Sequence, residues 1–193
     1  WIFLRELMDQ RVRSLADLSI VPGMAVLGAV ADIDDDPVEP EEPEMIFREY
    51  ADSIVAESCR QVATAVMRTM AKEGHTSLVV AGGLPGSGVT TIIGNLAVAM
   101  HAVGHSVCVI DANFRRPRLA RSFGLEGDQR GLGDVLADTV TLESAIQMTG
   151  DGVSVIAAGS TETRMVERLS DERFSSVMAS LRSKFSYVLV DVA

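Results

Sequence analysis

The sequence is poor in the residues that several classes of protein require. Only two cysteines occur in 193 residues, Cys59 and Cys108, with no metal-ligand spacing, and each sits inside an apolar pattern. They read as reduced core thiols in a cytosolic setting. Basic residues are outnumbered: 17 Lys and Arg stand against 27 Asp and Glu, a formal net charge of −10. A nucleic-acid surface needs a basic stripe, so no nucleic-acid partner is expected. No run of 18 apolar residues is present to span a membrane, and no segment has the pattern of a signal peptide. The chain opens on Trp1 rather than Met and stops at Ala193 directly after a buried-strand pattern. It is expected to be a fragment of a longer protein.

With 47% hydrophobic and 23% charged residues, there is enough for one core domain and a smaller appendage. Three regions separate. Residues 1–31 hold a short helical pattern, a break at Pro22-Gly23 and an apolar stretch from Met24 to Ala31. Arg5, Arg11 and Arg13 stand behind Trp1-Ile2-Phe3-Leu4, which fits either the cytoplasmic flank of a membrane helix or an ordinary amphipathic surface helix. Residues 32–44 carry eight carboxylates and no basic residue, with Pro37, Pro40 and Pro43 at every third position. Self-repulsion and fixed φ angles predict an extended, solvated linker. No loop glycine organises these carboxylates into a metal site.

Residues 45–193 form the third region. A helix is predicted from about Met45 to Lys72, ended by Gly74. Strand and helix signals then alternate: Ser77–Ala81, a helix over Thr90–Val103 stopped by Gly104, Val107–Ile110 ending on Asp111, Val153–Ala157, and Tyr187–Val190 ending on Asp191. Continuous apolar strands alternating with helices predict an α/β fold whose parallel sheet is covered on both faces.

Ligands of such sheets gather at the carboxyl ends of the strands. After the first strand comes Gly83-Leu84-Pro85-Gly86-Ser87-Gly88-Val89-Thr90-Thr91. A strand, a glycine-rich turn and a helix N-terminus make an anion site, because free N–H groups and the helix dipole face the ligand. The spacing fits G-x-x-x-x-G-K-[ST] except that Val89 stands where lysine belongs. Gly82, Gly86 and Gly88 also fit the G-x-x-x-G-x-G of short-chain dehydrogenases, with Asp111 as a ribose acceptor. The Tyr-x-x-x-Lys of those enzymes is absent, since Ile54 follows Tyr50 and Asp191 follows Tyr187 at that spacing.

The context favours the phosphate loop. Val109-Ile110-Asp111-Ala112-Asn113-Phe114-Arg115-Arg116-Pro117 resembles the V-I-D-A-D-L-R-R-P of bacterial tyrosine kinases and their polysaccharide co-polymerase relatives. Asn95-Leu96-Ala97, Gly131-Leu132-Gly133-Asp134-Val135-Leu136, Val155–Gly159 and Phe185–Asp191 are similar to that family's N-L-A, G-L-x-D-V-L, V-L-P-A-G and Walker B segments, in the same order. Leu4–Asp9 and Val26-Leu27-Gly28 look like the segment after the second membrane helix of the co-polymerases.

The resemblance implies a P-loop NTPase-like fold of the Walker A′ (MinD-like) type. It implies that Gly83, Gly86, Ser87, Gly88, Thr90 and Thr91 bind nucleotide, and that Thr90, Asp111 and Asp191 serve Mg²⁺. Asp111 and Asp191 would be the catalytic carboxylates. ATP or ADP with Mg²⁺ is the implied cofactor. The implied setting is the cytoplasmic face of the bacterial inner membrane, in exopolysaccharide or capsule export. Partners would be further copies of the chain, a co-polymerase membrane subunit or the export machinery.

Several departures predict impaired catalysis and weak nucleotide binding. Val89 replaces the lysine, Asn113 replaces the second acid of D-x-D, and Val192-Ala193 stands where the family has Thr-Pro-Pro. The E-x-x-R-x-x-R contact motif survives only as Glu57–Ala63, and no tyrosine cluster is present. Two charges at about 4 Å interact by about 4 kcal/mol at an effective dielectric near 20. A lost lysine therefore matters to phosphoryl transfer, which depends on positioning and charge. A lysine restored at position 89 is expected to reach over the loop without disturbing the core. The alternatives are a structural platform without nucleotide, or a dinucleotide-binding oxidoreductase.

Overall fold

The computed structural model describes residues 23–38, 46, 50–84, 86–125, 130–160, 169 and 172–192. The N-terminal helix-like pattern of residues 1–22 and the carboxylates of 39–44 lie outside them. Within the acidic segment, Ile33–Asp35 form a 3₁₀ turn capped by Asp32, so this part is not simply extended. Asp36 is buried, its Oδ2 accepting from Val55 N at 2.9 Å. That bond is the main influence holding its carboxyl below the usual range.

The predicted helix from about Met45 is interrupted at residues 50–53. Ile46 is helical, residues 45 and 47–49 lie outside the described ones, and helix α1 spans Ile54–Glu73. Ser53 is the N-cap, accepting from Ala56 N at 3.0 Å, while Ser53 N closes a turn onto Tyr50 O. The buried positions Val55, Cys59, Ala63, Val66 and Met70 recur at helical spacing. Gly74, at φ 70°, ends the helix in the left-handed region that L side chains avoid. His75 N then bonds Met70 O at 2.8 Å.

Strand β1 (Ser77–Val80) leads through the glycine loop into α2 (Val89–Ala102), and β2 spans Val107–Asp111. Three short helices follow: α3 (Leu119–Ser122), α4 (Leu132–Leu136) and α5 (Leu142–Ala145). Strands β3 (Gln147–Met148) and β4 (Ser154–Ile156), helix α6 (Glu172–Lys184) and strand β5 (Tyr187–Asp191) complete the order.

The sheet order is β1-β5-β2-β4-β3. Its four longer strands are parallel, as the apolar runs predict, and β3 adds an antiparallel edge. Successive side chains of a strand point to opposite faces. Val107, Val109, Val155 and Leu189 accordingly meet the cluster containing Ala63, Val66, Ile93 and Leu96 of α1 and α2. Cys108, Ile110, Ile156, Val188 and Val190 meet Leu132, Leu136, Met178 and Leu181 of α4 and α6. Both faces are thus covered. A smaller cluster packs Ile46, Val55 and Cys59 with Val30, Ala31, Ile33 and Tyr50, which seats the described N-terminal residues against α1. Burial pushes the Cys59 thiol up to about 11 and the Cys108 thiol up to about 12.

Candidate phosphate-loop site

The loop from Gly82 to Gly88 turns the chain from β1 into α2, and its geometry accounts for three of its glycines. Gly86 has φ 79° and Gly88 φ 74°, and Gly88 is the N-cap of α2. Gly82 is needed for closeness: a Cβ there would lie 2.1 Å from Ser87 Oγ and 2.9 Å from Val89 Cγ2. In the sequence Gly82 fits only the dehydrogenase spacing, and no local signal marks its role in this turn. Gly83 has open space around it. Ser87 N bonds Leu84 O at 3.2 Å, and Ile92 N bonds Gly88 O at 2.8 Å, where α2 begins. The first turn of a helix leaves backbone N–H groups without intrahelical acceptors, at the positive end of the dipole. That is the physical basis of an anion cradle.

Behind the cradle, Thr90 Oγ1 donates to Asp191 Oδ2 at 2.7 Å. Thr91 O accepts from the Asn95 side chain at 2.8 Å, which steadies the first turn of α2. Asp191 ends β5, and Asp111 is its register partner at the end of β2. Both carboxylates are buried. Ala112 N also bonds Asp191 O at 2.8 Å, closing the strand ends together. The ordering brings Thr90, Asp111 and Asp191 together at the carboxyl ends of the strands.

Asp111 is occupied by its own loop. Its Oδ1 accepts from Asn113 N at 3.0 Å, and its Oδ2 from Arg118 N and Leu119 N, each at 3.1 Å. Burial pushes its carboxyl up to about 6, with the neighbouring Asp191 adding to the rise and the three N–H groups opposing it. These bonds commit Asp111 to holding its own loop. Asn113 is also structural, its Oδ1 accepting from Arg116 N at 3.0 Å.

Val89 is buried, with 6% of its surface exposed. The expectation that a lysine stem leaves here without disturbing the core therefore needs correction. Its Cγ2 lies against the space beside Gly82, so any long side chain must turn out of that contact. A wide depression of about 410 Å³ lies elsewhere, over Asp52, Ser53, Ile54 and Glu57 at the start of α1. There Glu57 and Arg60, from the shortened contact motif, pair with each other at 2.8 Å.

The residues fit a magnesium nucleotide in part. The backbone cradle suits phosphate, and a hydroxyl beside two adjoining buried carboxylates suits a divalent cation. No lysine reinforces the cradle at position 89. Among the described residues, no group of three or more His, Cys, Asp or Glu side chains is arranged for a metal by itself.

This fold and loop define a P-loop NTPase-like α/β domain, similar to the domains of bacterial tyrosine kinases. The chain belongs to the family of cellulose biosynthesis protein BcsQ, whose model matches residues 75–193. The tyrosine-protein kinase ptk of Acinetobacter johnsonii is 31% identical over 142 residues, covering 73% of this chain and 19% of the kinase. The BceF tyrosine kinase domain superposes with a TM-score of 0.71 at 30% identity, covering 76% of this chain and 59% of that one. The septum site-determining protein MinD of Pyrococcus horikoshii OT3, complexed with Mg-ADP, gives a TM-score of 0.52 at 29% identity, covering 60% of this chain and 47% of that one. The chain thus spans about a fifth of the ptk relative. Among the described residues, no helix is long and apolar enough to cross a membrane.

Proposed function

We propose that this chain is the nucleotide-binding, tyrosine-kinase-type domain of a protein that regulates exopolysaccharide or capsule assembly and export. It works at the cytoplasmic face of the bacterial inner membrane, with impaired catalysis. Its partners are further copies of itself, a co-polymerase membrane subunit or the export machinery. The observation that carries the reading is the 2.7 Å bond from Thr90 to Asp191 directly behind the left-handed Gly88.

In this reading Gly83, Gly86, Ser87, Gly88 and Thr91 shape the cradle that receives the phosphates. Mg-ATP, when bound, supplies the transferable phosphoryl group and a divalent charge. Thr90 and Asp191, already joined at 2.7 Å, would hold the ion, Asp191 directly or through water. Asp111 keeps the loop from Ala112 to Leu119 in place and contributes charge through water. A second reading, a structural platform without nucleotide, is favoured by the buried Val89 in the lysine position.

Titration calorimetry on the chain and on Val89→Lys separates the two. Wild type is expected to bind Mg-ATP weakly and Val89→Lys at least about tenfold more tightly, or about 1.4 kcal/mol. Because Val89 is buried, the variant is also expected to lose about 1–3 kcal/mol of stability. Unchanged affinity in a folded variant would hand the case to the platform. Submicromolar affinity in wild type would refute impaired binding.

A further inference from the structure

The segment after β2 runs against the charge of the chain. Arg115, Arg116, Arg118 and Arg121 fall within seven positions that hold no acidic residue, in a chain of net charge −10. All four are exposed. Among the described residues no carboxylate pairs with any of them, whereas Arg60, Arg173 and Lys184 each have one.

These arginines stand on a fixed backbone. Asp111 holds Arg118 N and Leu119 N, and Asn113 holds Arg116 N. Phe114 and Leu119 are buried beneath them. Beside them a cavity of about 60 Å³ opens between Asp111, Arg118, Arg121 and the Ala157–Gly159 turn. Pockets for whole small-molecule ligands run to about 300–1,000 Å³, so this one takes a single small group while the rest of the ligand lies across the surface.

We propose that this face docks an acidic polypeptide segment, whose carboxylates lie across Arg115, Arg116, Arg118 and Arg121. Guanidinium groups bind carboxylates in a planar, two-bonded geometry and remain charged at every working pH. Four exposed guanidinium groups within seven positions, two of them at one cavity, exceed what a lone phosphate needs. Single-stranded nucleic acid would want exposed aromatic platforms, and the aromatics of this segment, Phe114 and Phe123, are buried. Calling the docked segment a phosphoryl acceptor rests on the kinase-type reading above; its binding does not.

The test is fluorescence anisotropy on the whole chain, using a labelled peptide with glutamates on both sides of a central tyrosine. A glutamine counterpart and a single-stranded oligonucleotide serve as comparison probes. The glutamate peptide is expected to bind at least about tenfold more tightly than the glutamine one, and more weakly as salt rises. Arg118→Glu/Arg121→Glu and Arg115→Glu/Arg116→Glu should each abolish that preference while keeping the wild-type melting curve. Arg68→Glu/Arg182→Glu, the same charge change on α1 and α6, should retain it. Equal binding of both peptides, tighter binding of the oligonucleotide, or equal loss in the control variant would overturn the proposal. Mg-ATP titrations run alongside keep the two readings apart. Nucleotide binding without peptide preference would sink the docking surface alone, and peptide preference without nucleotide binding would sink the kinase-type reading alone.

Discussion

The Thr90 hydroxyl and the Asp191 carboxylate meet at 2.7 Å although 101 positions separate them in sequence. The bond ties the first turn of α2 to the last residue of the inner strand β5. A hydrogen bond to a charged group contributes about 1.5–3 kcal/mol. Thr90→Ala is therefore expected to lower stability by about that amount in chemical denaturation. It should also weaken Mg-ADP binding at least about tenfold while leaving metal-free ADP binding nearly unchanged. Equal losses with and without magnesium would remove Thr90 from the metal side of the site.

Gly131 packs without room for a methyl group. A Cβ there would lie 2.1 Å from Ala157 O and 2.4 Å from Gly159 N, where Leu132 N and Gly133 N bond the Ala157 and Ala158 carbonyls. Gly131→Ala is expected to cost about 1–3 kcal/mol or more, the range of overpacked sites. Gly150→Ala, with nothing within 4 Å of its added carbon, should stay within about 0.5 kcal/mol of wild type. Similar urea midpoints for the two variants would contradict this packing.

Asp134 supplies a pH dependence with a definite sign. Partial burial raises its pKa, but bonds from the Ser160 hydroxyl, Gly131 N and Ser160 N outweigh that and hold it below the usual range. A depressed folded pKa means stability that is present above the unfolded value, about 3.9, and lost as pH falls through the folded one. The stability gap between wild type and Asp134→Asn should therefore be constant near neutrality and shrink below about pH 4. A gap that widens on acidification would reverse the assignment.

Cys59 and Cys108 are buried, with thiols raised to about 11 and about 12. Thiolates are the reactive form, so neither should react with a disulfide reagent in the native protein, and both should react in denaturant. Rapid native labelling of either would place it nearer the surface.

Much of the architecture is legible in the residues. The four parallel strands announce themselves as short apolar runs, and Gly74 and Gly104 mark helix ends because no other residue takes those φ angles cheaply. What stays hidden depends on distant partners. The start of α1 at Ile54 reflects Ser53 together with Asp36, whose contact with Val55 spans 19 positions. Strand β3 is two residues long and exists through its pairing with β4. At the site, the glycine spacing names the loop, but burial of Val89 and the three bonds that Asp111 accepts appear only once β1, β5 and β2 lie side by side. Gly82 carries no local mark, because its need arises from the Ser87 hydroxyl folding back over it.

The strand order also bears on how the chain is made. Strand β5 lies between β1 and β2, and its Val188 pairs with Ser77 on one side and Cys108 on the other. A ribosome delivers β1, β2 and β4 before β5, so the two halves of the sheet emerge without the strand that joins them. Until it arrives, Val109 and Leu78 both lack Leu189, the β5 residue that each pairs with in the finished sheet. Such long-range parallel pairing slows folding and prolongs exposure of apolar edges. Nascent chains halted before Tyr187 should therefore hold chaperones longer than the finished chain does.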